Sequence, residues 1–580
     1  MRVAVFALLP LLQALQVDAS VPRGIPVSTF AGATTSFVFP PPGETITVPD
    51  PAFPDAAQVG FPGATPTGAE ALVIATAPSV AKFSNVFPLV NPDTASSPES
   101  SSSHSKSSSS AGSQPFDVLH NFGNLSPWKS ISAASWVLDP VLANSSPSVP
   151  GDCSLDQVHL VHRHGARYPS LITGNLPGEF AADVHALAQS GNLTVSGPLA
   201  FLATWEYKLG AEILTPFGRS ELFDLGVGFR VNYGDLLEGF TDQLPVWRTT
   251  SQERMVDSAL HFAAGFFGVQ TYQQSYHQLI QIEEPGFNST LSPYYDCSNA
   301  LNSIAEFGSE QALLWANVYL VDAVKRLQPF VDGLTLTPTI LVSIQQLCAY
   351  ETVALGYSAF CPLFTEEEWT GYSYFNDLSF WYSFGPGNPS VSAQGIGWAQ
   401  ELLSRLTETR ITNFDTSVNA TIALNETLFP FGLPIYVDAT HDTIISAIVT
   451  AMNFTALAKE GPLPTDHIPD DHVYIINNIS PFASNLVAQV LTCPVPATPA
   501  LNASGNSTHI RFILNDAVLP LTGLSGCPSD ENGLCPLGTF KDALAARIGE
   551  VDYQFDCFAN YTIPSPDLIT NGQFPQQGKN

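Results

Sequence analysis

Between Val158 and Ser170 the chain reads VHLVHRHGARYPS, which gathers three histidines and two arginines. The whole sequence holds only 21 Lys+Arg against 52 Asp+Glu, so two guanidiniums four residues apart mark a place where something anionic docks. Arg163 and Arg167 offer planar donor forks suited to phosphate oxygens. Gly165 between them lets a ligand approach the backbone closely. His164 lies between the same two cations, and an imidazole there stays neutral and nucleophilic because the neighbouring positive charge disfavours its protonation.

Alternation along an extended strand would put His162 and His164 on one face and His159 on the other, with the strand ending before His164. His159 and His162 are read as structural residues that satisfy local hydrogen bonds. A metal site of H-x-x-H-x-H spacing is the competing reading, but the flanking arginines would repel a cation and no Asp-rich metallophosphatase pattern occurs elsewhere, so no metal is expected. The G-x-S-x-G signature of serine hydrolases is missing.

The elements that must position these residues follow from periodicity. QVHLVHRHG is a short β-branched run that ends at a glycine. In RMVDSALHFAAGFFG, Met255, Val256, Ala259, Leu260, Phe262, Ala263, Phe266 and Phe267 recur at helical spacing. In LPIYVDATHDTIISAIVTAMN, Ile435 to Val437 read as a strand, and Ile444, Ile445, Ile448, Val449 and Met452 form a helical stripe. His441 and Asp442 thus fall at a strand-to-helix junction, where Asp442 is either an ordinary helix cap or a carboxylate held for chemistry. Alternating strands and helices predict an α/β body. It is expected over 118–298 and 425–565, interrupted by a mostly helical insert over 299–424 and followed by a flexible tail over 566–580. No internal repeat is found.

The N-terminus, MRVAVFALLPLLQALQVDAS, reads as a secretory signal over 1–19: one arginine, an apolar core too short to span a bilayer, and small residues before the cut. Residues 20–117 are rich in Pro, Ala, Thr and Ser and include SSPESSSSHSKSSSSAGS, which cannot bury enough apolar area to offset its ordering entropy. They predict a largely disordered stalk; the alternative is that GETITVPDPAFPDAAQVGF forms a small β unit on the body. No later apolar run is long enough for a membrane helix, and the C-terminus lacks a lipid-anchor signal. A formal net charge of -31 excludes nucleic acid and anionic membrane as partners. Eight cysteines without C-x-x-C spacing favour disulfides over metal in an exported chain. Eleven N-x-[ST] sequons, among them Asn192, Asn288, Asn425 and Asn506, point to an N-glycosylated product. The expected location is secreted or extracellular, with cell wall or vacuole as variants.

Arg163-His164-Gly165-Ala166-Arg167-Tyr168-Pro169 matches the R-H-G-x-R-x-P signature of the histidine acid phosphatases, the branch of the histidine phosphatase superfamily that includes fungal phytases. His441-Asp442 resembles the family's second motif. Arg248 and Arg254, in WRTTSQERMVDSALHF, resemble its R-[ST]-x(4)-R segment. LTPFGRSEL, CPLFTEEEW and FGPGNPSVSAQGIGWAQELLSRL are also similar to fungal phytase sequence, so the resemblance runs from His120 to Tyr561 and leaves out the stalk.

The resemblance implies a phosphoglycerate mutase-like fold: a central mixed, mainly parallel sheet flanked by helices, with an inserted, mostly α-helical smaller domain. It implies that His164 attacks phosphorus and becomes a transient phosphohistidine. Arg163, Arg167, Arg254 and His441 would bind the phosphoryl oxygens, Asp442 would protonate the leaving alkoxide, and Arg248 and Gly165 would support them from behind. No cofactor is needed. By the same similarity Cys153 pairs with Cys493, Cys297 with Cys557, Cys348 with Cys361 and Cys527 with Cys535. The family's phytases add lysines around the phosphate pocket, whereas this chain has no Lys or Arg between Arg167 and Lys208. A rim would have to come from Lys208, Arg219 or the helical insert. A broad secreted acid phosphomonoesterase, with phytate among its small-molecule substrates, is therefore ranked above a dedicated phytase. The superfamily's mutases are set aside because they are intracellular. An inactive binding or adhesion glycoprotein on the same fold is the alternative from another class.

Overall fold

The computed structural model describes Gly68 and residues 116–575, apart from 137–138, 171–175, 239, 241–242, 495–505 and 566. The expected signal peptide, nearly all of the expected stalk and the last residues of the tail lie outside the described residues.

The main sheet is built around β1 (Ser154–Arg163), whose first four residues alternate between exposed and half-buried while the last six are all buried. The change has a simple cause. β1 runs between β6 (Ile435–Thr440), parallel to it with Val158 opposite Ile435 and Arg163 opposite Thr440, and β7 (Asn485–Pro494), antiparallel to it with Leu160 opposite Val487. A strand paired on both edges and covered on both faces reads as a continuous buried run. Beyond β6 the sheet continues in parallel through β3 (Val246–Thr250) to β4 (His277–Gln281). Beyond β7 it continues antiparallel through β8 (Asn506–Leu514) to β10 (Cys535–Pro536), with β9 (Ala517–Leu519) also paired to β8. The sheet is mixed, and its parallel half carries the loops considered below. A separate pair joins β2 (Thr194–Val195) to β5 (Val331–Asp332).

Helices cover both faces. Val158 and Leu160 pack with Leu222 and Phe229 of α2 (Pro216–Tyr233) and with Phe262 and Phe266 of α3 (Glu253–Phe267). α1 (Leu176–Gln189) precedes them in the chain. Val161, on the opposite face, joins a larger cluster with Ile396 and Trp398 of α7 (Val391–Thr407) and Ile444 and Ile448 of α8 (Asp442–Ala451). The stripe expected on α8 is buried throughout, from Ile444 to Met452.

Residues 299–424 carry α4 (Ser303–Tyr319), α5 (Pro338–Leu355), α6 (Glu366–Phe384) and α7. α6 starts at a capping box in which Thr365 and Glu368 satisfy each other's backbone N–H groups. α5 stops at Gly356, whose φ of 75° is the left-handed value that suits glycine. α7 lies directly on the sheet, where Trp398 Nε1 donates to Asp438 of β6 at 2.9 Å.

Four disulfides join Cys153 to Cys493, Cys297 to Cys557, Cys348 to Cys361 and Cys527 to Cys535. The first ties the start of β1 to the end of β7. The stretch 567–575, read from sequence as part of a tail, is held down: Ser392 Oγ donates to the Asn571 carbonyl at 2.7 Å and Ile569 is buried. Arg547 of α9 (Leu537–Glu550) donates to the same carbonyl at 3.3 Å. Small polar contacts of this kind leave no periodic trace in a sequence.

Candidate active site

In an open α/β sheet, loops at the carboxyl ends of parallel strands form the natural crevice. Here the loops after β1, β3, β4 and β6 meet there. β1 carries His164 just past its last residue, with the backbone pinned on both sides: His164 N–H donates to Thr440 O at 3.1 Å, and Ala483 N–H donates to His164 O at 2.9 Å. The His164 ring, 1% exposed, makes a 2.8 Å contact from Nδ1 to the Gly165 carbonyl. A carbonyl can only accept, so Nδ1 carries the proton and Nε2 keeps a lone pair. Nε2 has no hydrogen-bond partner among the described residues. Burial, and then Arg163, Arg254 and Arg167, hold this imidazole well below its ordinary protonation range.

Gly165 is needed for a reason other than ligand access. A Cβ there would sit 2.2 Å from Gly218 O, and one on Gly218 would sit 2.0 Å from Ala166 O. The first turn of α2 presses directly on the loop after β1, so both positions require glycine.

Arg163 is fully buried over the Phe482 ring, 4.4 Å from its centroid. It donates to the carbonyls of Asn124 and Ser480 and pairs through Nη2 with Asp442 Oδ2 at 2.7 Å. Asp442 opens α8. Its Oδ2 also accepts from Asn124 Nδ2 at 2.8 Å, and its Oδ1 accepts from the Thr443 N–H at 2.9 Å. Burial would raise this carboxyl, but Arg163, Arg167 and the Asn124 bond outweigh it and hold the group below its ordinary value. Arg167 donates to Tyr168 O at 3.0 Å and reaches the Tyr350 hydroxyl at 3.4 Å. Arg254, in the first turn of α3, pairs with Glu212 at 2.8 Å. His441 meets His164 edge-on, ring centroids 5.6 Å apart, and its Nε2 lies 3.1 Å from Glu283 Oε2.

The other predicted residues are placed differently. Arg248 is buried under the sheet and forms a two-pronged pair with Glu401, 2.9 Å on each side, and another with Asp438 at 2.6 and 2.8 Å. Arg405 joins the same Asp438 at 2.9 Å. Arg248 thus anchors β6 to β3 and α7 below His441. His159 stacks on Tyr436 and His162 on Phe262, on opposite faces of β1, and both are buried. Among the described residues no group of His, Cys, Asp or Glu is arranged to hold a metal ion.

Five polar residues of the site escape sequence reasoning: Asn124, Glu212, Glu221, Glu283 and Tyr350. Glu221, on α2, accepts from Ala166 N–H at 2.8 Å and from Trp128 N–H at 3.3 Å, and burial pushes it up to about 7 against those two bonds. Glu283 lies two residues past β4, as His164 and His441 lie just past β1 and β6. The carboxyl-end rule was the one signal that could have found it.

A proton-poor imidazole ringed by guanidiniums, at the carboxyl ends of parallel strands, defines a phosphoryl-handling α/β enzyme. The sequence profile described as "Histidine phosphatase superfamily (branch 2)" matches residues 154–515, and the chain belongs to that superfamily. Phytase A of Aspergillus awamori is 31% identical over 450 residues, covering 75% of this chain and 89% of the relative. Phytase A of Aspergillus oryzae is 29% identical over 442 residues, covering 74% and 88%. The crystal structure of the phytase from D. castellii superposes with a TM-score of 0.59 at 26% identity, covering 77% of this chain and 88% of that one. The Bifidobacterium longum multiple inositol polyphosphate phosphatase bound to inositol hexasulfate shares the fold, with a TM-score of 0.51 at 12% identity, covering 74% and 98%. This chain is a histidine-type hydrolase of phosphate monoesters.

Proposed function

We propose that the protein is an exported, glycosylated acid phosphatase that cleaves monoesters through a phosphohistidine on His164, with phytate among its substrates. The observation that carries this reading is the free, proton-poor Nε2 of His164 beside Arg163, Arg167, Arg254 and His441. Phosphoryl transfer passes through a loose transition state with charge spread over the equatorial oxygens, so positioned cations do most of the stabilising. Nε2 attacks phosphorus as the bond to the ester oxygen breaks, and Asp442 delivers its proton to the departing alkoxide. Water then attacks the phosphorus of the phosphohistidine, Asp442 takes a proton from it, and the phosphorus–nitrogen bond breaks to release phosphate.

Asp442 in the free site is a carboxylate committed to Arg163. An incoming phosphate takes over Arg163 and adds negative charge nearby, which favours the protonated acid. An acid optimum follows. Relatives named phytase A favour phytate as the main ester. Against a dedicated phytase, Arg219 is already paired with Asp257 at 3.6 Å and no Lys or Arg lies between Arg167 and Lys208.

Purified protein at about pH 5, where a carboxyl is still partly protonated, should hydrolyse p-nitrophenyl phosphate and phytate in excess chelator. His164→Ala should abolish both activities. A wild type inactive on both esters overturns the proposal, and the ratio of the two rates decides between broad phosphatase and phytase.

A further inference from the structure

Every cation proposed for the phosphate except Arg167 faces a buried carboxylate: Arg163 faces Asp442, Arg254 faces Glu212, and His441 faces Glu283. The last pair differs from the others because its cation can lose its charge. His441 Nε2 lies 3.1 Å from Glu283 Oε2, and Nδ1 has no hydrogen-bond partner among the described residues. Glu283 is itself fixed: its Oε1 accepts from the Tyr294 hydroxyl, and its N–H donates to Ser251 Oγ at 3.0 Å. Burial would raise Glu283, but His441 and Arg254 outweigh it and keep it a carboxylate.

A carboxylate on Nε2 keeps the proton on that nitrogen. In the neutral ring Nδ1 then presents a lone pair, which repels a phosphate oxygen. Only a doubly protonated ring donates to Glu283 and to phosphate together. Asp442 and Glu283 beside His441 favour that second proton, whereas Arg163, Arg254 and Arg167, which act on the adjoining His164, oppose it; His164 stays neutral and Tyr294 is a phenol. Of the two carboxylates, Asp442 is committed to Arg163 and must become protonated during turnover. That leaves Glu283.

We propose that Glu283 is a positioning residue that holds His441 as an imidazolium, Nε2–H on Glu283 and Nδ1–H on the phosphoryl group. This rests on the reading of His441 as a phosphate-binding residue. Glu283→Gln tests it, because glutamine keeps an acceptor for Nε2–H and removes only the charge. Wild type and variant would be compared from pH 4 to 7.5 by kcat/KM on p-nitrophenyl phosphate and by inhibition with inorganic phosphate.

The two proteins should differ least at pH 4, within about threefold. By pH 6.5 the variant should lose about tenfold or more, mainly in KM and in phosphate inhibition, with its alkaline limb moved to lower pH. A loss that is equal at all pH values, a loss in kcat alone or wild-type behaviour overturns the proposal. If the variant fails to fold, 15N-histidine spectra of the wild type with phosphate bound at pH 6.5 decide the question: a doubly protonated His441 supports it, and a neutral Nε2–H ring sinks it. His441→Ala separates the two readings, since undiminished kcat/KM in that variant removes His441 from the phosphate site whatever Glu283 does.

Discussion

Asp442 faces two conflicting demands, and its surroundings say how they are met. Arg163, Arg167 and the start of α8 all favour the carboxylate, whereas the proposed first step needs the acid. The protonated form is therefore scarce in the free site and depends on the bound phosphate. Asp442→Asn removes the proton donor while keeping the side-chain shape. It should lower kcat/KM, which reports transfer to His164 and not the later attack of water, by about 10²–10⁴-fold on alkyl phosphates, the usual worth of a positioned general acid. On p-nitrophenyl phosphate the loss should be much smaller, because nitrophenolate leaves without a proton. Steady-state kinetics on the two ester types checks this. Equal losses on both would point to Asp442 as a partner of Arg163 rather than as an acid.

At the scale of elements, the site depends on how tightly the loops after β1 and β6 are held. Gly218 on α2 touches the carbonyl of Ala166, and an added Cβ would lie 2.0 Å from it. Gly218→Ala must displace the loop that carries His164 and Arg167, and a misplacement near 1 Å costs about 100-fold in rate. The expected result is a folded protein with kcat/KM reduced to that extent, checked by circular dichroism beside the assay. Under β6, Arg248→Met would strand Asp438 and Glu401 without one of their partners. Breaking a buried pair in this way costs about 3–5 kcal/mol, so a large drop in unfolding free energy is expected in a denaturant titration. The same geometry explains what could be read in advance. Arg163, His164, Arg167, His441 and Asp442 lie in two contiguous runs, so their proximity within each run needs no tertiary knowledge. Arg248 and Arg254 stand six apart, but that step leaves a strand and enters a helix, which sends Arg248 beneath the sheet and Arg254 toward the pocket. Glu212 and Glu283 enter from loops of unrelated position. Their partners, Arg254 and His441, lie 42 and 158 residues further along the chain, so nothing local marked them.

At the scale of the whole molecule, buried carboxyls divide into two groups that set the pH range of stability. Burial pushes Glu221, Glu351 and Asp556 up to about 7, and Asp296 and Asp567 up to about 6. Between an unfolded value near 4 and these folded values, the native state holds protons that the unfolded chain has released. Stability must therefore fall as pH rises through that window. Asp438 and Glu283 lie below their ordinary values, Asp438 through Arg248 and Arg405 against the opposing effect of burial, and Glu283 through His441. Their contribution is present above the unfolded value near 4 and is lost as pH drops through the folded ones. His472, gripped by Asp377 at 2.9 Å and Glu460 at 3.1 Å, is raised to about 9, so its stabilisation is full below its unfolded value near 6.5 and is lost as pH climbs through 9. The net charge of -31 adds self-repulsion that grows as carboxyls ionise. The buried neutral His159, His162 and His164 act the other way, losing stability as pH falls below their unfolded value near 6.5. The raised acids outnumber them, however, and place maximal stability at about pH 4–5.5, on the acid side of neutrality. Thermal unfolding from pH 3 to 8 should show Tm highest in that interval and falling steadily toward pH 8. Glu351→Gln, which replaces one burdened carboxyl by a neutral group, should flatten the alkaline decline and leave Tm at pH 4.5 nearly unchanged. A Tm that rises from pH 5 to 8 would mean that the paired carboxylates outweigh the buried acids.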